Sequence, residues 1–284
     1  RGSERPRPVA PAPASISLGS SAPSEVVSEP RTVEASFVSA SLGREMAYAV
    51  FLPPGYDSKP GARYPVLYML HGLGGDHSQW MHAGLVEQAA DLMRRGEIEP
   101  FIIVLPDGES GYWMNHAGGG PRFGSYISSD LVSLIDRNYR TVGTRDGRAI
   151  GGMSMGGQGA LQLALNNPDE FRTAGAHSVA LRTKEQAFDF FGDRTYFEAH
   201  DPVSLVRSHP AVARRLVIAI DIGDADPWSG AAEAFHRSLT AQGIVHQWHE
   251  APGGHDEAYW HAHVDDYLRF YSQAFRDGRL SGGE

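Results

Sequence analysis

The chain has 284 residues, 41 % of them hydrophobic and 21 % charged, enough apolar material for one large domain or two small ones. Its formal net charge of −9 argues against a nucleic-acid partner or an anionic membrane surface, and no apolar run reaches the ~18 residues of a membrane-spanning helix. Because it has no cysteine, disulfides, thiolate metal sites and a cysteine nucleophile are excluded.

Residues 1–30 hold six prolines and seven serines and almost no large apolar side chain. Such a stretch cannot bury enough surface to fold, and it reads as a flexible Pro/Ala/Ser-rich tail or linker ahead of a catalytic domain over 31–284. The chain opens on Arg1 rather than Met, which implies processing or cutting. Such a tail before a catalytic domain suggests a secreted, cell-surface or periplasmic protein.

From residue 31 the pattern becomes regular. VEASFVSA and REMAYAVFL alternate apolar and polar residues about a turn at Leu42-Gly43, which predicts an antiparallel hairpin at a sheet edge. YPVLYML (64–70) is nearly continuous apolar, as a strand covered on both faces would be, and runs straight into HGLGGDHSQW. Leu85, Val86, Ala89, Leu92 and Met93 recur at helical spacing until Gly96. FIIVL (101–105) is another buried strand, ended by Pro106-Asp107-Gly108. The polar, glycine-rich stretch 109–125 is expected to be a loop, with a helix over 126–139.

RAIGGM (148–153) is a strand and Met155–Asn166 a helix stopped by Asn167-Pro168. RTAGAHS and RLVIAIDIG are further strands, separated by an insertion at 181–213. Ser229 to Gln242 is a helix with Ser229 as its N-cap and Gly243 past its end. VHQWHE is the last strand, and Trp260, Val264, Tyr267, Leu268, Tyr271 and Phe275 mark the apolar stripe of a closing helix.

Strand and helix alternate after residue 60, so the fold class is α/β, a mostly parallel sheet with helices on both faces. In such a sheet the ligand crevice lies beyond the C-terminal strand ends. The residues just past the strand ends are therefore informative: His71-Gly72-Leu73, then Ser154, then Asp224 and Asp226, then His255. A hydroxyl, a carboxylate and an imidazole leave strands at one edge.

A serine hydroxyl needs a base, and the base needs a carboxylate to hold its tautomer. The order Ser154, Asp226, His255 is that of the α/β-hydrolases, and GGMSMGGQGA supplies the strand-to-helix elbow. Gly152 and Gly156 leave room for that elbow, and Gly159 one turn later serves the same packing. Asp226 is favoured as the acid on order and loop position. Asp224 is the alternative, otherwise satisfying the turn backbone. Asp221, Asp224 and Asp226 could also together offer oxygens to a hard cation. His261 and His263 point to different faces of their helix, which disfavours a zinc pair. No metal or cofactor is expected. An oxyanion hole is expected from the backbone N–H of Met155, at a helix start, and from HGLGG, where Leu73 is the choice. Candidate substrate contacts are His71, Gly72, Tyr112, Trp113, Asn115 and Trp228, with the crevice walled by 109–125 and by the aromatics of 181–213, Phe188, Phe190, Phe191, Tyr196 and Phe197.

HGLGGDHSQW, GGMSMGGQGA, GDAD and PGGHDEAYW stand together in the order of a known family. From about residue 33 to 275 the chain resembles the esterase family that includes feruloyl esterases of carbohydrate esterase family 1, tributyrin and acetyl esterases, S-formylglutathione hydrolase and the antigen 85 mycolyltransferases. The resemblance implies an α/β-hydrolase fold, Ser154 as nucleophile, Asp226 as acid, His255 as base, and Leu73 and Met155 as oxyanion donors. HGLGGD looks like the feruloyl and acetyl esterase branch, which implies a small-molecule or polysaccharide-linked ester as substrate. Other functions on this scaffold are acyl transfer, S-formylglutathione or siderophore-type ester hydrolysis, and a non-catalytic binding module.

Overall fold

A computed structural model of the chain describes residues 28–281. The expected tail falls outside the described residues except for 28–30. There Ser28 is already tied to the body: its carbonyl accepts from Gly55 N–H at 2.9 Å and its N–H donates to Ser58 Oγ at 3.2 Å.

The expected hairpin forms as β1 (Arg31–Ser39) and β2 (Arg44–Leu52), antiparallel from Arg31↔Leu52 to Ser39↔Arg44. The remaining strands are β3 (Val66–Leu70), β4 (Ile102–Pro106), β5 (Arg148–Met153), β6 (Thr173–His177), β7 (Val217–Gly223) and β8 (His246–Ala251). They build one eight-stranded sheet in the order β1-β2-β4-β3-β5-β6-β7-β8. β2 meets β4 antiparallel, and all pairs from β4 through β8 are parallel. Every residue of β3, β4, β5 and β6 is buried, which is why these segments lack polar alternation.

Each face of the sheet carries its own apolar core. On one, Val66, Tyr68, Ile150 and Ile220 pack with Leu161 of the helix Met155–Asn166 and Phe235 of the helix Ser229–Ala241. On the other, Leu67, Met69 and Ile103 pack with Leu92 of the helix Leu85–Arg94 and with Val264, Leu268 and Phe275 of the helix Glu257–Ser281. Parallel strands place all their C-terminal ends at one edge, and the loops gathered there carry the candidate residues.

Three local expectations need correction, and the insertion gains structure. A short helix, Gln79–His82, starts at the end of HGLGGDHSQW, where the sequence reading places none. The helix expected at 126 starts at Phe123 and contains a π-helical stretch, Tyr126–Leu131, before Val132–Asn138, because Phe123 is drawn into the core beneath Gly111. Ser229 is the first helical residue and not the N-cap, since the chain has already turned into helical geometry at Trp228. The insertion 181–213 folds as short helical turns, among them Arg194–Glu198 and Pro202–Ser208, capped by the side chains of Asp193 and Asp201.

Candidate active site

Ser154 ends β5 at φ 56° and ψ −117°, a conformation that costs a side-chain-bearing residue on the order of 1–3 kcal/mol. The surroundings hold it there. Its N–H donates to His177 O at 2.9 Å, and its carbonyl accepts from Ala180 N–H at 3.2 Å. Glycine is obligatory on either side. A Cβ on Gly152 would lie 2.4 Å from the backbone of Gly156, and one on Gly156 would lie 2.3 Å from Leu70 O. Gly159 has a different purpose from the one expected: it admits Trp113, whose Cβ would be 2.6 Å from a methyl placed there.

His255 and Asp226 meet Ser154 at this point. His255 Nε2 is 2.8 Å from Ser154 Oγ, and His255 Nδ1 is 2.7 Å from Asp226 Oδ2. A carboxylate only accepts, so Nδ1 carries the proton and Nε2 is left to accept from the serine hydroxyl. The Asp226 side chain is fully enclosed, whereas that of His255 is 22 % exposed. The second carboxylate oxygen, Oδ1, accepts from Trp228 N–H at 2.8 Å and fixes the acid in place. Trp260 sets its ring edge-on against the imidazole at 5.4 Å.

The choice between the neighbouring aspartates is resolved by direction. Asp224 Oδ1 turns away from the imidazole and accepts from Gly253 N–H at 3.0 Å, stitching the acid loop to the histidine loop. Asp221 lies inside β7, bonded to His177 and Tyr267. Three carboxylates with three separate sets of partners do not converge on a cation.

The HGL turn lies against Ser154: a Cβ on Gly72 would sit 3.5 Å from Ser154 Cβ. Neither Leu73 N–H nor Met155 N–H has an acceptor among the described residues. The Met155 amide also opens a twelve-residue helix, where the backbone presents partial positive charge. Gln79 holds the turn, its Oε1 accepting from Gly72 N–H at 2.8 Å. His71 is 1 % exposed and works from behind. Its Nδ1 donates to Gly72 O at 2.8 Å, and its Nε2 accepts from Gly108 N–H at 2.9 Å. His71 therefore joins the loops after β3 and β4 and offers nothing to a substrate. Gly72 is likewise buried, its amide occupied by Gln79.

Two further candidates for substrate contact prove to be core. Trp113 is fully buried at φ 56°, its indole N–H donating to His71 O at 3.2 Å while its carbonyl accepts from Gln162 at 2.7 Å. Tyr112 is 2 % exposed and packs on Phe191. Burial pushes its phenol above the ordinary range, against the opposing pull of Arg182, so it remains protonated. Asn115 spends its amide on Ser125, at 3.1 and 3.0 Å. Trp228, beside Asp226, is half-buried. The segments 109–125 and 181–213 pack on each other, with Phe190 stacked on His116 at 4.1 Å and Tyr196 Oη donating to Asn115 O at 2.8 Å.

A second His–Asp pair lies in the core. His177 Nδ1 is 2.5 Å from Asp221 Oδ1, but its Nε2 accepts from Tyr271 Oη at 2.8 Å, and among the described residues no serine hydroxyl bonds to it. Tyr267 Oη donates to Asp221 Oδ2 at 2.7 Å. Burial and then the Asp221 charge hold both phenols well above their ordinary range, so both remain donors. Gly151 and Gly175 leave the room that the Tyr271 hydroxyl occupies. The cluster braces β6 and β7 beneath the elbow.

A family described as "Putative esterase" matches residues 39–271. Esterase Rv1288 of Mycobacterium tuberculosis is 30 % identical over 263 residues, 80 % of this chain and 56 % of that protein, so the chain spans little more than half the length of that curated relative. S-formylglutathione hydrolase of Bos taurus is 30 % identical over 217 residues, 66 % of this chain and 72 % of that protein. Among solved structures, a ferulic acid esterase superposes with a TM-score of 0.79 at 27 % identity, over 87 % of this chain and 99 % of that one. These neighbours and the parallel sheet with its N-terminal hairpin establish the α/β-hydrolase fold. The chain belongs to this esterase family.

Proposed function

We propose that the chain is a serine carboxylesterase acting on water-soluble esters with short or aromatic acyl groups. The observation that carries the reading is the unbroken chain from Ser154 Oγ to His255 at 2.8 Å and on to Asp226 at 2.7 Å. Ser154 Oγ attacks the carbonyl carbon while its proton passes to His255 Nε2. Asp226 stabilises the imidazolium, and the amides of Leu73 and Met155 hold the oxyanion. Collapse breaks the ester C–O bond, and the leaving alcohol takes the proton back from Nε2. Water then repeats the sequence on the acyl-enzyme, releasing the acid and restoring Ser154.

Gln79 acts through the Gly72 amide and is a positioning residue. Gln79→Ala is expected to lower kcat by about tenfold with KM little changed, the scale of one lost hydrogen bond to a buried group. Gln79→Glu keeps the accepting oxygen and should restore most of the rate. Steady-state kinetics on p-nitrophenyl acetate reads both, and an unchanged kcat in the alanine variant would show that the turn holds itself.

The aromatic side of the reading is supported by Phe188, 39 % exposed, and by the half-buried Trp228, which leave ring surface free where most insertion aromatics are spent on packing. Ring pairs add ~0.5–1.5 kcal/mol beyond burial. Two similar proteins carry ferulate-directed names: the ferulic acid esterase above and an endo-1,4-beta-xylanase/feruloyl esterase of Xylanibacter ruminicola, 32 % identical over 163 residues, 55 % of this chain and 22 % of that protein. Feruloyl or acetyl groups on plant polysaccharide are the natural targets this favours. The test compares kcat/KM for methyl ferulate, acetylated xylan, p-nitrophenyl acetate and p-nitrophenyl palmitate. Short and aromatic esters should lead. A preference for palmitate would overturn the soluble-ester reading, and turnover of short esters without methyl ferulate would remove the feruloyl part alone.

A further inference from the structure

Arg182 is a cation that the chemistry above does not use, and it is linked to the triad through Trp228 and through the chain at Ala180. Ala180, two residues before it, donates its N–H to Ser154 O at 3.2 Å. The guanidinium is fixed in position: Nε donates to Tyr112 Oη at 2.6 Å and Nη1 to Gln186 O at 3.3 Å. Its Cζ lies 4.8 Å from the ring centre of Phe188, 5.1 Å from that of Trp228 and 5.5 Å from that of Tyr112. Trp228 is itself anchored to the triad acid through Asp226 Oδ1.

What Arg182 lacks is a carboxylate partner. On the side away from Phe188 and Trp228 it borders a cavity of about 470 Å³, lined by none of the triad residues, together with Lys184, Arg194, Glu185, Glu198 and Asp201. Glu185 and Glu198 are engaged by Arg194, and Asp201 caps Ser204. Among the described residues no carboxylate pairs with Arg182, and Nη2 has no acceptor. A half-buried guanidinium held only by neutral oxygens and ring faces leaves its strongest interaction, a fork-on-fork pair with a carboxylate, unmade. In a chain of net charge −9 this does not reflect a shortage of acidic residues.

We propose that Arg182 is a substrate-binding residue that pairs with a carboxylate carried by the ester, on the side of the site walled by Phe188 and Trp228. The preferred substrates are then anionic esters. This rests on the esterase reading and narrows its substrate class. The carboxylate could belong to the acyl part or to the leaving alcohol, and the chemistry at Arg182 is the same.

The test has two kinetic arms, each a pair differing in charge: 4-acetoxybenzoate against 4-acetoxybenzamide for the alcohol side, and monomethyl glutarate against methyl valerate for the acyl side. For each, the ratio of kcat/KM, anionic over neutral, is measured in the unaltered protein and in Arg182→Gln and Arg182→Lys. The ratio should fall by about tenfold in the glutamine variant in one arm, which names the side, and fall less in the lysine variant. Comparing ratios removes the intrinsic reactivity of each ester and any general repulsion by the acidic chain. Calorimetry of benzoate and benzamide needs no turnover: benzoate should bind about tenfold tighter, and Arg182→Gln should abolish the difference. Unchanged ratios in both arms, or equal binding of the two probes, would overturn the proposal. Absence of turnover on every neutral ester would instead count against the esterase reading, and the calorimetry would still decide for or against the anion site.

Discussion

Ser154→Ala is expected to lower kcat by roughly 10³- to 10⁶-fold, the range for loss of a triad nucleophile, with whatever rate remains supplied by the oxyanion donors and binding. The effect is this large because the site has one hydroxyl within reach of the base. His255 Nε2 faces Ser154 Oγ at 2.8 Å, while the two buried imidazoles are occupied elsewhere, His177 Nε2 by Tyr271 and His71 Nε2 by Gly108 N–H. The substitution removes only the oxygen. The backbone bonds to His177 O and from Ala180 N–H do not need it, and Cβ stays in the strained geometry that serine already occupies. Circular dichroism should therefore be unchanged while p-nitrophenyl acetate turnover collapses. A variant that kept its activity would mean the nucleophile is elsewhere.

Asp226→Asn is the second large effect, a fall of about 10⁴ in kcat with KM little altered. The amide fits the space but can present N–H to His255 Nδ1. The imidazole is then held with its proton on Nε2, where it cannot accept from Ser154. Asp224→Asn is the control. Its Oδ1 receives Gly253 N–H at 3.0 Å, and an asparagine oxygen can do the same, so activity should stay within a few-fold and the change should fall mainly on stability. Parallel kinetics and thermal melts of the two variants decide between them. An inactive Asp224→Asn with an active Asp226→Asn would reverse the assignment.

The buried strands were legible because a strand covered on both faces has no polar positions to confuse its period. That Ser154 and His255 belong to one candidate site was legible because a strand-end serine among glycines and a strand-end histidine need only local sequence to be seen. Asp224 and Asp226 could not be separated in the same way. Both are carboxylates in one turn, and only the direction of each side chain tells which meets His255. The oxyanion turn is visible in the sequence, but Gln79, which holds it, is not. A four-residue helix leaves no periodic signal, and although Gly72 and Gln79 both stand in HGLGGDHSQW, nothing in that string says that they bond to each other.

Tyr112 and Trp113 show the opposite error. Aromatics in a glycine-rich loop beside a site look like binding surface. Both adopt positive φ, at 52° and 56°, which turns the rings inward onto Phe191 and into the space left by Gly108 and Gly159. Arg182 carries no signal in the sequence, because its partner Tyr112 lies 70 residues away and its significance is an unpaired charge, which no local pattern can display.

The central claim is that Ser154 is the single activated hydroxyl of this chain. Treatment with a fluorophosphonate and then peptide mass spectrometry tests it most directly, since the probe forms a stable bond only with a serine whose proton a neighbouring base can take. One adduct per chain is expected, on the peptide containing Ser154, and none after Asp226→Asn at the same exposure time. Labelling of a different serine, or no labelling of a folded chain, would contradict it.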